Sequence, residues 1–154
     1  MSRKYIQGKF KPRNPHKYRG DLNNIIARSS WEMRFLNWCD LNDSIVEYAS
    51  EEVVIPYLCE TDGRWHRYFV DAYVKIRDTN NKITTYLVEI KPYIQTLPPK
   101  YPGKQTARYL IEAETFIKNQ SKWKAAKKYA EDRGAKFIII TEKELVIGSQ
   151  KRLK

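Results

Sequence analysis

Between Arg67 and Lys91 the chain reads as two strand-like arms, Arg67 to Ile76 and Ile83 to Lys91, on either side of Asp78-Thr79-Asn80-Asn81. Those four residues tolerate turn and left-handed backbone angles, so the segment predicts a β-hairpin. A turn centred on Asn80 sets Asp71 directly across from Glu89, with Lys91 one diagonal step away. Register decides whether this holds, because a slip of one residue moves a side chain to the other face. The apolar pattern selects it: Val70, Ala72, Val74 and Ile76 on one arm and Tyr86, Val88 and Ile90 on the other make one apolar face. The opposite face then carries Asp71, Glu89 and Lys91 beside Phe69, Tyr73 and Leu87, a set that argues for a covered face.

Directly opposed residues have Cβ atoms roughly 5 Å apart, and two carboxylates so placed repel unless something positive lies between them. A divalent cation is the expected counter-charge. Against this stands the bland reading of Glu89 and Lys91 as a solvated pair on an exposed sheet.

Net charge, +11, is concentrated at the ends. Residues 1–20 carry seven basic side chains and no acid, and residues 118–154 carry eleven against four, leaving residues 21–117 at −3. That layout suits a polyanion binder whose centre holds a cation and whose ends grip phosphates; the competing reading is a solubility surface. The length fits one domain with a core of its own. Cys39 and Cys59 stand far apart in no C-x-x-C or Cys/His spacing, so they read as buried thiols in a reducing compartment. No apolar run reaches the roughly 20 residues of a membrane span, and the start lacks the apolar stretch of a signal peptide.

Residues 1–24, with Pro12, Pro15, Gly8 and Gly20 among Lys, Arg and aromatics, show no periodicity and read as a basic arm; 25–148 is the expected domain and 149–154 a basic tail. A helix begins after Ser29, with Ser29-x-x-Glu32 matching a capping box, and ends near Asp40 to Asp43. Strands follow at Ile45–Tyr48 and Val53–Leu58, with a turn at Thr61-Asp62-Gly63. After the hairpin, Pro92, Pro98, Pro99 and Pro102 predict a loop that excludes helix. A long helix then runs through Tyr109, Ala113, Phe116, Gln120, Trp123, Ala126 and Ala130 to Gly134. Strands are expected at Phe137–Thr141 and Leu145–Ile147. This order gives an α/β fold, a central mixed sheet with helices packed on it.

Helix-borne Glu32, then Asp71, then Glu89-x-Lys91 with a helix following, resembles the PD-(D/E)XK nuclease superfamily; Val70 stands where that motif has proline. Within it, Arg28-Ser-Ser-Trp-Glu32, Tyr68-Phe-Val-Asp71, Leu87-Val-Glu-Ile-Lys-Pro92, Asn119-x-x-Lys122 and Phe137-Ile-Ile-Ile-Thr-Glu142 are similar to TnsA-type endonucleases and, over nearly the whole length, to the head completion nucleases of T-even-type tailed phages. The resemblance implies a restriction-endonuclease-like core and a nuclease acting on packaged DNA ends. It also implies phage head, portal or neck proteins as partners, and a place in the host cytoplasm during assembly or in the virion head.

Phosphodiester hydrolysis by such a site needs hard cations, Mg²⁺ with Mn²⁺ as substitute, held by Asp71 and Glu89. The resemblance adds the Ile90 carbonyl as a ligand. Lys91 orients the attacking water and meets developing charge. Glu32 reads either as the capping-box partner of its own helix or, by resemblance, as an acid reaching the metal through water. Lys9, Lys11, Arg13, Lys17 and Arg19, with Asn119 and Lys122 one turn apart on the long helix, are the expected contacts to double-stranded DNA, the last two against a solvated-face reading. His16 and His66 are not placed as a pair with a Ser or Cys nucleophile; the four tryptophans offer rings for base stacking, but the three at helical spacing, Trp31, Trp38 and Trp123, read as core, and none is assigned to DNA. Cutting both strands implies a homodimer. The rival readings are a DNA-binding structural protein at the head portal with a vestigial site, and a basic, Tyr-rich protein adaptor.

Overall fold

In the computed structural model, which describes residues 8–145, the hairpin forms in the expected register: Ala72 faces Val88, Val74 faces Tyr86 and Ile76 faces Thr84. Asp78 organises the turn, its carboxylate accepting from the N–H groups of Asn80 and Lys82, while Asn81 takes the left-handed conformation at φ 67° that such a turn requires.

The strands are β1 (Gly8–Lys9), β2 (Ile26–Ala27), β3 (Ile45–Ser50), β4 (Val54–Cys59), β5 (Arg64–Phe69), β6 (Ala72–Arg77), β7 (Ile83–Ile90) and β8 (Lys136–Ile140), and the helices α1 (Ser30–Leu41) and α2 (Ala107–Asp132). The central sheet has the order β3-β6-β7-β8. Its first two pairings are antiparallel and β7–β8 is parallel, so this is a single small α/β domain with a mixed sheet. α1 covers the face of Ala72, Val74 and Val88 with Phe35, Leu36 and Cys39. α2 covers the other with Trp123, Ala126 and Ala130 against Leu87, Phe137 and Ile139. Cys39 and Cys59 are free and buried.

The first arm of the hairpin is shorter than expected. The chain changes sheets at Val70-Asp71: β5 pairs with β4, β6 with β3 and β7, and the N–H of Glu51, itself at φ 56°, binds the Asp71 carbonyl. The break turns Val70 into the cluster under α2, not onto the face of Ala72. It leaves Phe69, expected to be covered, 46% exposed.

Residues 8–24, expected as an arm, pack against the domain. Phe10 and Tyr18 are buried, and Lys17, buried in a 3₁₀ turn, donates from Nζ to the carbonyls of Cys39, Asp40 and Asn42. These are orphan acceptors at the C-terminus of α1, where a cation also meets the negative end of the helix dipole. Asp40, 2% exposed, accepts from the N–H groups of Arg13 and Asn14 and the hydroxyl of Tyr48. A basic, proline-bearing segment thus becomes structural by serving as a helix cap. Residues 1–7 of the expected arm and the whole 149–154 tail lie outside the described residues.

Three smaller expectations change. Pro92 opens a 3₁₀ turn at Tyr93–Thr96 inside the loop. On α2 the buried polar positions are Asn119 and Ser121, not Gln120, which is exposed. Residues 142–145 are helical, not the start of a strand; the Thr141 N–H and hydroxyl bind the Glu144 carboxylate, a Thr-x-x-Glu capping pattern readable in the sequence. Residues 146 and 147 lie outside the described residues. α2 itself ends as expected: Gly134 sits at φ 71° and Ala135 N–H returns to the Ala130 carbonyl, a Schellman-type stop.

Candidate active site

Asp71 stands at the sheet change and Glu89 near the end of β7. Asp71 Oδ2 accepts from the N–H of Ile90 at 2.7 Å, which ties the first acid to the strand that bears the second. Asp71 Oδ1 has no hydrogen-bond partner among the described residues. Glu89, 6% exposed, accepts from the Tyr68 hydroxyl through Oε1, and its Oε2 lies 3.3 Å from Lys91 Nζ. Of the face anticipated as covered, Glu89 and Leu87 are buried, Leu87 in the cluster under α2, whereas Phe69 is not.

Glu32 makes one of the two bonds of the capping box. Its N–H binds the Ser29 hydroxyl, but its carboxylate reaches back to the N–H of Arg28 and not to that of Ser29. Its charge is felt at Asp71, and it feels that of Glu89 in turn. Lys122, expected only as a phosphate contact, enters the same field: burial lowers its ammonium pKa, while Glu89 and Asp71 act to raise it. Tyr68 and Glu51 were not assigned roles from sequence. Alternation hid Tyr68, since it sets even-numbered residues on the face opposite Glu89 until the change of sheets at Val70-Asp71 is known, and Glu51 has no signal beyond its position before a strand.

Burial, then the charges of Glu89 and Glu32, push the Asp71 carboxyl well above the ordinary carboxylate range, against the Ile90 N–H and Lys91. Burial likewise raises Glu32. Both acids thus hold protons more tightly folded than unfolded, so their stabilising contribution is complete below about pH 4 and is lost as pH rises through the raised folded values. The metal-free protein should therefore melt at progressively lower temperature from mildly acidic to alkaline pH in EDTA. Added Mg²⁺ should recover most at the alkaline end, and Asp71→Asn should flatten the trend; thermal melts across pH decide it.

A cluster this short of positive charge fits a cation. The oxygen donors of Asp71 and Glu89 are the hard type that Mg²⁺ and Mn²⁺ prefer, and the Ile90 backbone lies beside them. Among the described residues one set of three His, Cys, Asp or Glu donor atoms falls within 4.8 Å of one another, Cys59, Asp62 and His66. That set lies at the β4–β5 turn, where Cys59 meets Thr61 Oγ1 and His66 Nε2 meets Asp62, so its donors already have protein partners. Glu32, Asp71 and Glu89 do not form such a set.

A family model described as TnsA-like endonuclease N terminal matches residues 42–142, well over half of the chain. The protein belongs to the TnsA-like endonuclease family. The TnsA-like stretch holds Asp71, Glu89, Lys91 and Lys122, while Glu32 precedes it. Over 139 residues, 88% of this TnsA-like chain and 90% of its relative, it is 43% identical to the head completion nuclease of Enterobacteria phage T4. No solved structure matches.

The expected DNA contacts divide. Lys9, Lys11, Arg13 and Arg19 are exposed, Arg19 pairing with Glu47. Lys17 is occupied at the end of α1. Asn119 is buried on the wall of a groove between α2 and the loop, with Ile94, Leu97 and Phe116. Among the described residues no helix is long and apolar enough to cross a membrane.

Proposed function

We propose that this protein is a Mg²⁺-dependent DNA endonuclease that processes packaged phage DNA ends and completes the head before tail attachment, with assembly in the host cytoplasm. The reading rests on one observation above all: Asp71 and Glu89 are brought together with Lys91 against Glu89. The identity to a head completion nuclease supports the biological setting, and head, portal or neck proteins are the partners it suggests.

A bound cation would supply Lewis acidity and lower the pKa of a coordinated water. Asp71 and Glu89 would hold it, with the Ile90 carbonyl as a further donor and Glu32 acting across a water. Tyr68 fixes one Glu89 oxygen by donating to it. Lys91 holds the other side of Glu89 and offers a compact ammonium to developing phosphate charge. Lys122, kept close by α2, is placed to meet the substrate phosphate, while Lys9, Lys11, Arg13 and Arg19 give a salt-sensitive grip on duplex backbone. Asn119 contributes from the adjoining groove. Cutting both strands would use two copies.

The test is cleavage of linear and supercoiled DNA with Mg²⁺, with Mn²⁺ and with EDTA. Cleavage should require the cation and fall about 10²–10³-fold in Lys91→Ala, the loss typical of removing one preorganised charge-stabilising donor. Binding without nicking by the intact protein, with head assembly undisturbed by Glu89→Gln, would instead establish a structural DNA-binding role.

A further inference from the structure

The geometry points to a binding track for an unpaired DNA strand along β5, leading to the acidic site; this rests on the nuclease reading and names the form of DNA it takes. β4 and β5 form a two-stranded sheet of their own, and α2 packs against β4, leaving a groove beside β5. The groove measures about 570 Å³ and is lined by Trp65, His66, Arg67, Phe69, Lys118 and Lys122 among others, none of them acidic. That volume lies within the ~300–1,000 Å³ of clefts that hold drug-sized ligands.

Two features select a single strand over a duplex. Trp65 is 69% exposed and Phe69 46%, and both are large rings outside the core, opposed across the ladder only by the smaller, also exposed Leu58 and Val54. The Arg67 guanidinium sits 5.7 Å from the centroid of the Phe69 ring. Exposed rings among cations do little for the phosphate backbone of a duplex, whose bases are stacked on one another. They match unpaired bases, which stack on aromatic faces while Lys and Arg follow the backbone.

Continuity supplies the destination. Lys122 lines the groove and also lies in the field of Glu89 and Asp71, and its ammonium lies 5.6 Å from the ring centroid of Tyr68, the residue that holds Glu89. Phe69 follows Tyr68 directly and precedes Asp71 by two positions. A strand stacked on Trp65 and Phe69 is thereby led toward the two acids, so the preferred substrate has an unpaired segment next to the cleaved bond, as at a frayed or overhanging end.

The full-length protein is tested by fluorescence anisotropy in EDTA with three labelled probes: a blunt duplex, the same duplex with a single-stranded extension, and the single strand alone. Trp65→Ala with Phe69→Ala should lower the ratio of extension to blunt affinity about tenfold, as loss of base stacking does, while Trp65→Phe keeps most of it; both side chains are exposed, and unchanged melting temperatures confirm folding. An unchanged ratio overturns the inference. So does a Trp65-dependent change in sedimentation without DNA, which would make this face a contact between copies of the chain. Cleavage is scored separately: a wild type that cuts no DNA defeats the nuclease reading, whereas normal cutting with a ratio indifferent to Trp65 and Phe69 defeats only this one.

Discussion

Asp71→Asn should reduce DNA cleavage by at least about 10³-fold while leaving the metal-free protein as stable as the wild type or more so. A bound cation brings several kcal/mol of transition-state stabilisation, and each ~1.4 kcal/mol is a decade in rate. The stability half of the result follows from the repulsion at the site: burial, Glu89 and Glu32 all work against an ionised Asp71, and asparagine keeps an oxygen for the Ile90 N–H while discarding the charge. Calorimetric titration with Mn²⁺ should show the lost affinity directly. A variant that lost activity and melted several degrees lower in EDTA would mark Asp71 as a structural residue of the sheet change and would sink its role as ligand.

Lys17→Met should cost about 3 kcal/mol, or roughly 10 °C in Tm for a chain of this size. The side chain is 8% exposed, and its three donors are all used on the carbonyls that close α1. Methionine fills the space but leaves those acceptors buried and unmet, which is the expensive way to lose a hydrogen bond. Lys11→Met, at an exposed position, should fall within about 0.5 kcal/mol of wild type. Urea denaturation of the two variants separates the cap from the surface charge, and equal stabilities would remove Lys17 from the fold.

The contrast between these two residues shows what a sequence of this kind discloses. Register around Asp71 and Glu89 was legible because a period of two leaves only one way to bury Ala72, Val74 and Val88 together. Ser29 and Gly134 marked helix ends for equally local reasons. Lys17 was not legible, since a lysine among prolines and other cations has the composition of a solvated arm, and only the arrival of Cys39, Asp40 and Asn42 turns it into a cap. The sheet change at Val70-Asp71 was hidden similarly: alternation continues through it, and the break is set by Glu51 and Val53 bonding to it from the connection between β3 and β4. Phe69 followed as an error of the same origin, because a ring on a strand reads as covered unless the strand is known to leave the main sheet. Lys122 was chosen from helix spacing, but its nearness to Glu89 depends on how α2 crosses the sheet.

The order in which the sheet is assembled bears on when this molecule becomes dangerous to the nucleic acid around it. Glu89 lies on the hairpin of β6 and β7 and Asp71 directly precedes it, a unit able to form as soon as β7 has been synthesised, since hairpins close within microseconds. What completes the site comes later in the chain: α2, which brings Lys122, and β8, whose parallel pairing to β7 spans a long crossover and is slow to form. A nascent chain therefore carries its carboxylates uncovered, wet and poorly organised before it carries a working centre. Synthesis itself delays the enzyme until nearly all of its domain has emerged.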